Sequence, residues 1–135
     1  MIIDKQDFLV NGISYTIRSA TEKDAKDLSA LRLQIDGETE NLDREKGEAF
    51  IDIPGFEQII KTDTENRRNL FLVAVVDDRI VGYSRCEGNQ LNRFAHKIEF
   101  GVGVLGFEIE GILKNDKILS DGKYYNTIIM GRFNE

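Results

Sequence analysis

The chain has 135 residues, of which 41% are hydrophobic and 31% charged, and its formal net charge at pH 7 is −6. This length predicts one domain over residues 1–135, and this composition argues against disordered and fibrous classes of protein. The acidic balance also disfavours nucleic acid and anionic membranes as partners, because neutralising phosphates requires clustered Lys and Arg.

Cysteine, histidine and hydropathy give further expectations. The one cysteine, Cys86, cannot form an internal disulfide, and its strand-like surroundings indicate a small buried side chain rather than a nucleophile. The one histidine, His96, has neither a second histidine nor a cysteine cluster to join it, so no metal site is predicted. No run reaches the roughly 18 apolar residues of a membrane helix, and the first residues do not resemble a signal peptide. We therefore expect a cytoplasmic protein.

The chain opens with a predicted β-hairpin. Asn11 and Gly12 form a dipeptide typical of tight hairpin turns. Residues 8–10 before it are apolar, and residues 13–17 after it alternate between apolar and polar with the period of a half-buried strand. The two runs are therefore expected to pair.

Two helices are predicted next. Thr21 is a suitable N-cap, and apolar residues at helical spacing predict the first helix over residues 22–36, ended by Gly37. The second helix opens at Pro54, which is tolerated at a helix start because its missing N–H would be unpaired there. The polar run 63–69 closes this helix. Its apolar face is expected to hold Phe56, Ile59 and Ile60.

The segment between the helices, residues 38–53, is acidic and polar. A solvated loop or an exposed helix is the plain interpretation of such a segment. An acidic rim that attracts an amine substrate is the alternative.

Strand patterns make up the second half of the chain. We predict strands over residues 70–76, 79–86, 95–104, 107–113 and 124–132. The first is apolar on both faces, which indicates a strand covered on both sides, and Asp77-Asp78 turns it back onto the second. The last two flank residues 120–123, a Gly-containing turn signal, and are expected to form a closing hairpin.

Two motifs in this half resemble the GNAT family of N-acetyltransferases. Residues 99–104, EFGVGV, resemble the central strand that runs into the acetyl-CoA loop of that family. Residues 106–111, GFEIEG, resemble the segment after its last helix. The runs YTIRSATEKDA, FLVAVVDDRIVGYSRCEG and GFEIEGILKNDKILSDGKYYNTIIMGR resemble its opening strand and helix, its hairpin and its closing hairpin. Most of the chain is covered, so it resembles an internally deleted member of the family.

The resemblance implies an α/β (α+β) fold, with a mixed, mainly antiparallel sheet and two N-terminal helices. It also implies acetyl transfer from acetyl-CoA to an amine. In the family a loop, a helix, a strand and another helix separate the two motifs, and backbone N–H groups of the loop bind the pyrophosphate. The last of these helices often carries a catalytic tyrosine. Here Leu105 joins Gly106 directly, and the glycine-rich residues 101–106 lead into a strand instead of a helix.

Few positions of the family's site have counterparts. The resemblance implies residual cofactor-binding residues at Val102, Gly103 and Val104, on the strand whose backbone pairs with the pantetheine arm. It implies Glu99 as the remaining candidate base for the acceptor amine, with an exposed strand residue or an ion pair as the alternative interpretation.

We therefore expect a GNAT-like N-acetyltransferase that is defective because the acetyl-CoA loop is absent. Acetyl-CoA is the cofactor that the resemblance implies, although the part that holds its phosphates is missing. Two alternatives stay open. One is a non-enzymatic module that binds a ligand or a protein, and the other is an active acetyltransferase whose missing segment was lost from this form of the chain.

The missing segment also has a consequence for stability. One amphipathic helix covers roughly 400–600 Å² of a sheet, and at ~25 cal/mol/Å² its loss removes about 10–15 kcal/mol of burial, as much as a domain's whole net stability. Something must therefore cover the bared face. Because residues 95–113 can form one long strand, bent at Gly103 or Gly106, we expect an intertwined homodimer that exchanges residues 107–132 between protomers.

Overall fold

The computed structural model describes residues 1–38, 45–95, 98–104, 108–118 and 122–131. Its elements are β1 (Gln6–Val10), β2 (Ile13–Ser19), a 3-10 turn (Glu22–Asp24), α1 (Ala25–Glu38), α2 (Ile53–Glu65), β3 (Leu70–Val76), β4 (Arg79–Gly88), a second 3-10 turn (Asn92–Phe94), β5 (Ile98–Val104), β6 (Glu108–Ile118) and β7 (Tyr124–Gly131). The predicted α+β class, with two helices inserted among antiparallel strands, is confirmed.

Five strands form one antiparallel sheet in the order β1–β2–β3–β4–β5, so that neighbours in sequence are also neighbours in space. Strands β6 and β7 pair with each other in a separate two-stranded sheet. Among the described residues β5 therefore has a strand partner on one side, and its outer backbone edge is unpaired.

Two hairpin turns of this sheet use left-handed backbone conformations. Asn11 and Gly12 have φ angles of 50° and 78°, which confirms the predicted turn between β1 and β2. Asp77 and Asp78, between β3 and β4, have φ angles of 48° and 60°. Gly, Asn and Asp tolerate positive φ better than other residues, and turns of this kind follow the twist of the strands they join.

The first helix begins where the sequence predicts and ends later. The backbone N–H of Thr21 donates to Oδ2 of Asp24 at 2.8 Å, and the 3-10 turn that leads into α1 starts at Glu22. The prediction that Gly37 ends the helix is wrong, because α1 continues to Glu38. A Cβ atom at Gly37 would lie 2.8 Å from Cδ of Lys46, an exposed and flexible side chain that can move aside.

The second helix is capped by Asp52, whose Oδ1 accepts a hydrogen bond from the N–H of Gly55 at 2.8 Å. Pro54 lies in its first turn, as predicted. Phe56 and Ile60 are buried, and Ile59 packs against the core, so the predicted apolar face is confirmed.

Both helices pack on one side of the five-stranded sheet. Alternate residues of β3, Phe71 and Val73, are buried there, and the strand register carries the same side to Tyr83 in β4 and Gly103 in β5. The core consists of Ala20, Ala25, Leu28, Leu31, Ile35, Phe56, Ile60, Phe71, Val73 and Ile80.

The other side of the sheet has no helix over it in the described ranges, and we call it the open face. By strand register it carries Gln6, Phe8, Val10, Ile13, Tyr15, Ile17, Ser19, Leu70, Leu72, Ala74, Val76, Arg79, Ser84, Cys86, Ile98, Phe100 and Val102. Among the described residues β3 is covered by helices on one side only, and cover on its second side stays a prediction. Phe71 is buried, but Leu72 on the open face is only half-buried, because α1 and α2 lie on the same side.

The C-terminal strands differ in extent from the sequence pattern. β5 begins at Ile98 rather than at residue 95, and β6 continues to Ile118 rather than ending near residue 113. The pairing of β6 with β7 confirms the predicted closing hairpin. The joint of Leu105 and Gly106 lies outside the described residues. Because β5 and β6 belong to different sheets, the described residues do not form one long strand.

Candidate functional site

A groove lies where β4 ends and β5 begins. Its volume is about 540 Å³, which falls within the range of small-molecule sites. It is lined by Glu87, Gly88, Asn89, Gln90, Ile98 and Glu99. The side-chain amide of Gln90 donates to the carbonyl oxygen of Gly88 at 3.2 Å, which orders the start of the loop between the two strands.

Two carboxylates stand opposite each other at this groove. Glu87 of β4 and Glu99 of β5 are direct partners in the antiparallel register, and both side chains are exposed. Like charges in this arrangement repel each other. Arg85 offsets part of the repulsion, because its Nη1 lies 3.0 Å from Oε2 of Glu87. The lining remains acidic and suits a cationic ligand better than a phosphate.

A buried carboxylate fixes Arg85 beside the groove. Asp63 of α2 is 1% exposed and accepts hydrogen bonds from Nε of Arg85 at 2.6 Å, from Nη2 of Arg85 at 3.0 Å and from Nδ2 of Asn69 at 2.7 Å. Oδ1 of Asn69 accepts from the N–H of Gly88 at 3.2 Å. We call Asp63, Asn69 and Arg85 the buried network; it joins α2 to the groove end of β4.

The buried network stabilises the charged form of Arg85 further. Hydrogen bonding to Asp63 raises the pKa of Arg85 above its ordinary value, against the opposing effect of burial. In the sequence, Asp63 and Asn69 belong to the polar run predicted to close α2, and that interpretation misses their burial. A signal for Asp63 exists, because it follows Phe56 by seven residues and Ile60 by three, which places it on the apolar face of the helix.

The predicted cofactor-binding residues lie at the far end of β5 from this groove. Val102 is half-buried on the open face, Gly103 is buried on the core side, and Val104 ends the strand. A Cβ atom on Gly103 would lie 2.9 Å from Cε1 of Tyr83, so glycine makes room for that ring. Glu99 is about 10 Å along the strand from residue 102, at ~3.3 Å per residue. The groove therefore contains Glu99, while Val102 and Gly103 are not among its described lining residues.

The acidic segment between the helices is described only in part. Residues 39–44 lie outside the described residues, and residues 45–52 form turns and extended backbone, which confirms the loop interpretation there. Oγ of Ser29 in α1 donates to the carbonyl oxygen of Ile51 at 2.7 Å and anchors the end of this loop. Attraction of an amine by this segment stays a prediction.

Cys86 is half-buried on the open face, and burial raises the pKa of its thiol. A raised pKa lowers the fraction of thiolate, so the position suits a packed side chain rather than a nucleophile. Within the described ranges no three His, Cys, Asp or Glu side chains group as metal ligands would, and His96 lies outside those ranges. None of the described helices is both long and apolar enough to cross a bilayer.

The chain does not fit the phosphate end of acetyl-CoA in the way the family binds it. That mode requires unpaired backbone N–H groups of a loop at a helix N-terminus. Here the next described element after β5 is a strand, and only residues 105–107 separate β5 from β6. Three residues are too few for a loop and a first helical turn, which alone takes 3.6 residues. The unpaired edge of β5 suits the extended pantetheine arm at most.

Comparison with known proteins finds solved structures with a similar fold, but it finds no match by sequence. No family model and no curated protein matches the chain. Among solved structures, an acetyltransferase of the GNAT family from Streptococcus pneumoniae matches with a TM-score of 0.64 and 16% identity, over 86% of this chain and 97% of that one.

Two further structures match over similar lengths. The ribosomal-protein-alanine N-acetyltransferase from Brucella melitensis has a TM-score of 0.55 and 19% identity, over 84% of this chain and 96% of its own. RimJ from Mycobacterium smegmatis, in complex with CoA-disulfide, has a TM-score of 0.55 and 16% identity, over 94% of this chain and 86% of its own. The chain therefore has a GNAT-like fold.

Proposed function

We propose that this chain is a GNAT-type N-acetyltransferase that has lost its acetyl-CoA loop and is defective in acetyl transfer. The observation that carries the proposal is the three-residue connection between β5 and β6, which replaces a loop, a helix, a strand and a second helix. The GNAT-like fold supports the ancestry, and the missing cradle supports the loss of activity.

Parts of an acetyltransferase site remain under this proposal. The backbone of Val102, Gly103 and Val104 is the residual strand for the pantetheine arm, and the outer edge of β5, which has no strand partner among the described residues, supports this role. Glu99 is the residual candidate base, and its place in an acidic groove supports an amine as the acceptor. Without the phosphate contacts, these remnants are too weak to hold the donor.

A thermal-shift experiment with acetyl-CoA tests the proposal. A ligand at a hundred times its Kd stabilises the folded state by about 2.7 kcal/mol, which raises Tm by about 5 °C or more for a chain of this size. We expect no shift with acetyl-CoA, whereas an intact GNAT acetyltransferase treated in parallel should shift. A saturable shift with this chain would contradict the proposal, and loss of acetyl transfer in Glu99→Gln would then identify the base.

A non-enzymatic binding module is the second candidate, and the acidic groove favours it. Glu87 and Glu99 face one another there, so a small primary amine or diamine is the ligand class that the charge selects. Titration of a diamine should broaden or shift the backbone NMR signals of residues 87–90 and 98–99 in the unmodified chain. The double variant Glu87→Gln/Glu99→Gln should abolish that response, and a response that survives it would exclude the groove.

The remaining alternative is an active enzyme whose segment was lost from this form of the chain. The coding sequence and the intact mass distinguish it from the defective enzyme proposed above. A reading frame without the loop and helices between residues 105 and 106, with a protein of 15.4 kDa, would exclude it.

A further inference from the structure

The open face differs in composition from the rest of the molecule. Among the described residues, Arg79 at the turn end of β4 is the one charged residue that the strand register places on it, although 31% of the chain is charged. Several of its large apolar side chains are mostly exposed: Phe100 is 56% exposed and Ile98 is 65% exposed. A contiguous apolar surface that spans five strands is comparable with the largest patches that folded monomers leave in water, and such patches often mark interfaces.

The distribution of charge in the chain narrows the kinds of molecule that could cover the open face. The chain carries a net charge of −6, but the strand register places none of its acidic residues on the open face. Two copies would repel one another through their acidic surfaces, but they could meet through this face, whose one charged strand residue among those described, Arg79, lies at its margin. A cationic peptide would find no ion-pair partner on the described strands of this face, and a phosphate would find only Arg79. The chemistry of the face therefore matches an apolar surface like itself.

The dimensions of the face are sufficient for a stable dimer. Five strands about 4.8 Å apart, each about seven residues long at ~3.3 Å per residue, give roughly 500 Å² of flat area per copy. Two copies bury roughly 1,000 Å² of flat area, which reaches the lower bound for a specific interface. Protruding side chains add to this area. A two-fold axis brings the same patch of each copy together, as closed dimers require.

We propose that the open face is a homodimer interface, covered by the open face of a second copy of this chain. The two sheets stack as layers about 10 Å apart, with Phe8, Leu72 and Phe100 of each copy in the shared core. This second copy takes the place of helices on the uncovered side of the sheet. The interface is independent of acetyl transfer and exists whether or not the groove binds a ligand.

Size-exclusion chromatography with light scattering tests the interface, and the chain offers a matched pair of variants. We expect a mass of twice 15.4 kDa for the unmodified chain and a single-chain mass for Phe100→Glu. Phe50→Glu is the control, because Phe50 has the same 56% exposure but lies in the loop before α2, away from the open face. We expect Phe50→Glu to stay dimeric. Circular dichroism checks that each variant is folded.

Several results would overturn the interface. A monomeric unmodified chain would do so, as would a dimer that persists in Phe100→Glu or one that dissociates in both variants. Ile98→Lys is a second variant on the same face, and it should also give a folded monomer. If Phe100→Glu and Ile98→Lys both fail to fold, these side chains pack within a single chain, and the proposal is wrong.

Discussion

At the scale of single residues, two glycines of β5 have different roles. A Cβ atom on Gly103 would lie 2.9 Å and 3.0 Å from ring atoms of Tyr83, whereas one on Gly101 would meet nothing within 4 Å. We expect Gly103→Ala to lower the free energy of unfolding by about 1–3 kcal/mol, because the ring of Tyr83 would be pushed from its contact with Phe71. Urea denaturation measures this loss.

Gly101→Ala is the matched control in the same strand. The open space around Gly101 predicts no loss, and a gain of up to about 1 kcal/mol follows if the backbone suits alanine, because the unfolded chain then has less freedom. Equal losses in the two variants would show that glycine is required for the backbone of β5 rather than for the ring of Tyr83.

A second residue-scale prediction concerns acid stability. Asp24 is buried, and burial alone would raise its pKa, but hydrogen bonds from Arg18 and Thr21 and the charge of Arg18 lower the pKa below its usual value. A group whose pKa is lowered by folding contributes stability above its unfolded pKa, near 3.8, and loses it as pH falls through the folded value.

We therefore expect Asp24→Asn to be less stable than the unmodified chain at pH 6, by about 1–3 kcal/mol, because a charged hydrogen-bonded pair is lost. The difference should shrink as pH falls below 4, since the unmodified chain then loses the same contribution. Denaturation curves at several pH values measure it. A difference that is constant down to pH 3 would show that the charge of Asp24 does not stabilise the fold.

Local chemistry made part of this detail predictable from sequence. The turn at Asn11-Gly12 and the start of the first helix depend on neighbouring residues, and both are found where the pattern places them. Gly37 is different, because α1 passes through it and continues to Glu38, close to Lys46 of a later segment. A rule that treats glycine as a helix end does not predict this continuation.

At the scale of elements, the buried network holds α2 against β4. Removing Asp63 leaves the donors of Arg85 and Asn69 without their acceptor in a buried place. We expect Asp63→Ala to lower the free energy of unfolding by about 3–5 kcal/mol. Glu57→Ala, an exposed change in the same helix, should alter it by no more than about 0.5 kcal/mol. A small effect of Asp63→Ala would mean that Arg85 reaches solvent easily.

The hairpin of β6 and β7 gives a second element-scale prediction. A two-stranded sheet is marginally stable alone, and β5 has one edge without a strand partner among the described residues. We therefore predict that the hairpin of each protomer is exchanged and pairs with β5 of its partner, in a contact that forms only when the open faces hold the two copies together and is lost with them. Hydrogen–deuterium exchange should then show strong protection throughout Ile98–Val104 in the dimer and weaker protection in monomeric Phe100→Glu. Rapid exchange at alternate residues of β5 in the dimer would exclude the hairpin exchange.

Pairing between elements also limited what could be predicted of the site. Glu99 stands out from its motif alone, but its opposition to Glu87 depends on the register of β4 and β5, which no local pattern encodes. The buried network also depends on contacts between elements, since Asp63 lies in α2, Asn69 just before β3, and Arg85 in β4. Periodicity indicates which elements exist, and register then decides which side chains meet.

At the scale of the whole molecule, the fold resembles that of GNAT acetyltransferases, whereas the missing segment argues against their activity. The sheet with two helices on one side is GNAT-like, and the motifs together with the sequence order of strands and helices predicted it. Under our proposals, the absent segment would have supplied both the phosphate cradle and a cover for the open face. The proposed loss of acetyl-CoA binding and the proposed dimerisation would then be two results of one change in the chain.

Calorimetric titration of acetyl-CoA into a sample of verified mass, 15.4 kDa per chain, tests the loss of the cradle most directly. We expect no saturable heat, because β5 is followed within three residues by a strand and no helix N-terminus receives the pyrophosphate. Saturable binding of one acetyl-CoA per chain, with a Kd of about 1 µM or tighter, would contradict this expectation and show that the shortened chain still holds the acetyl donor.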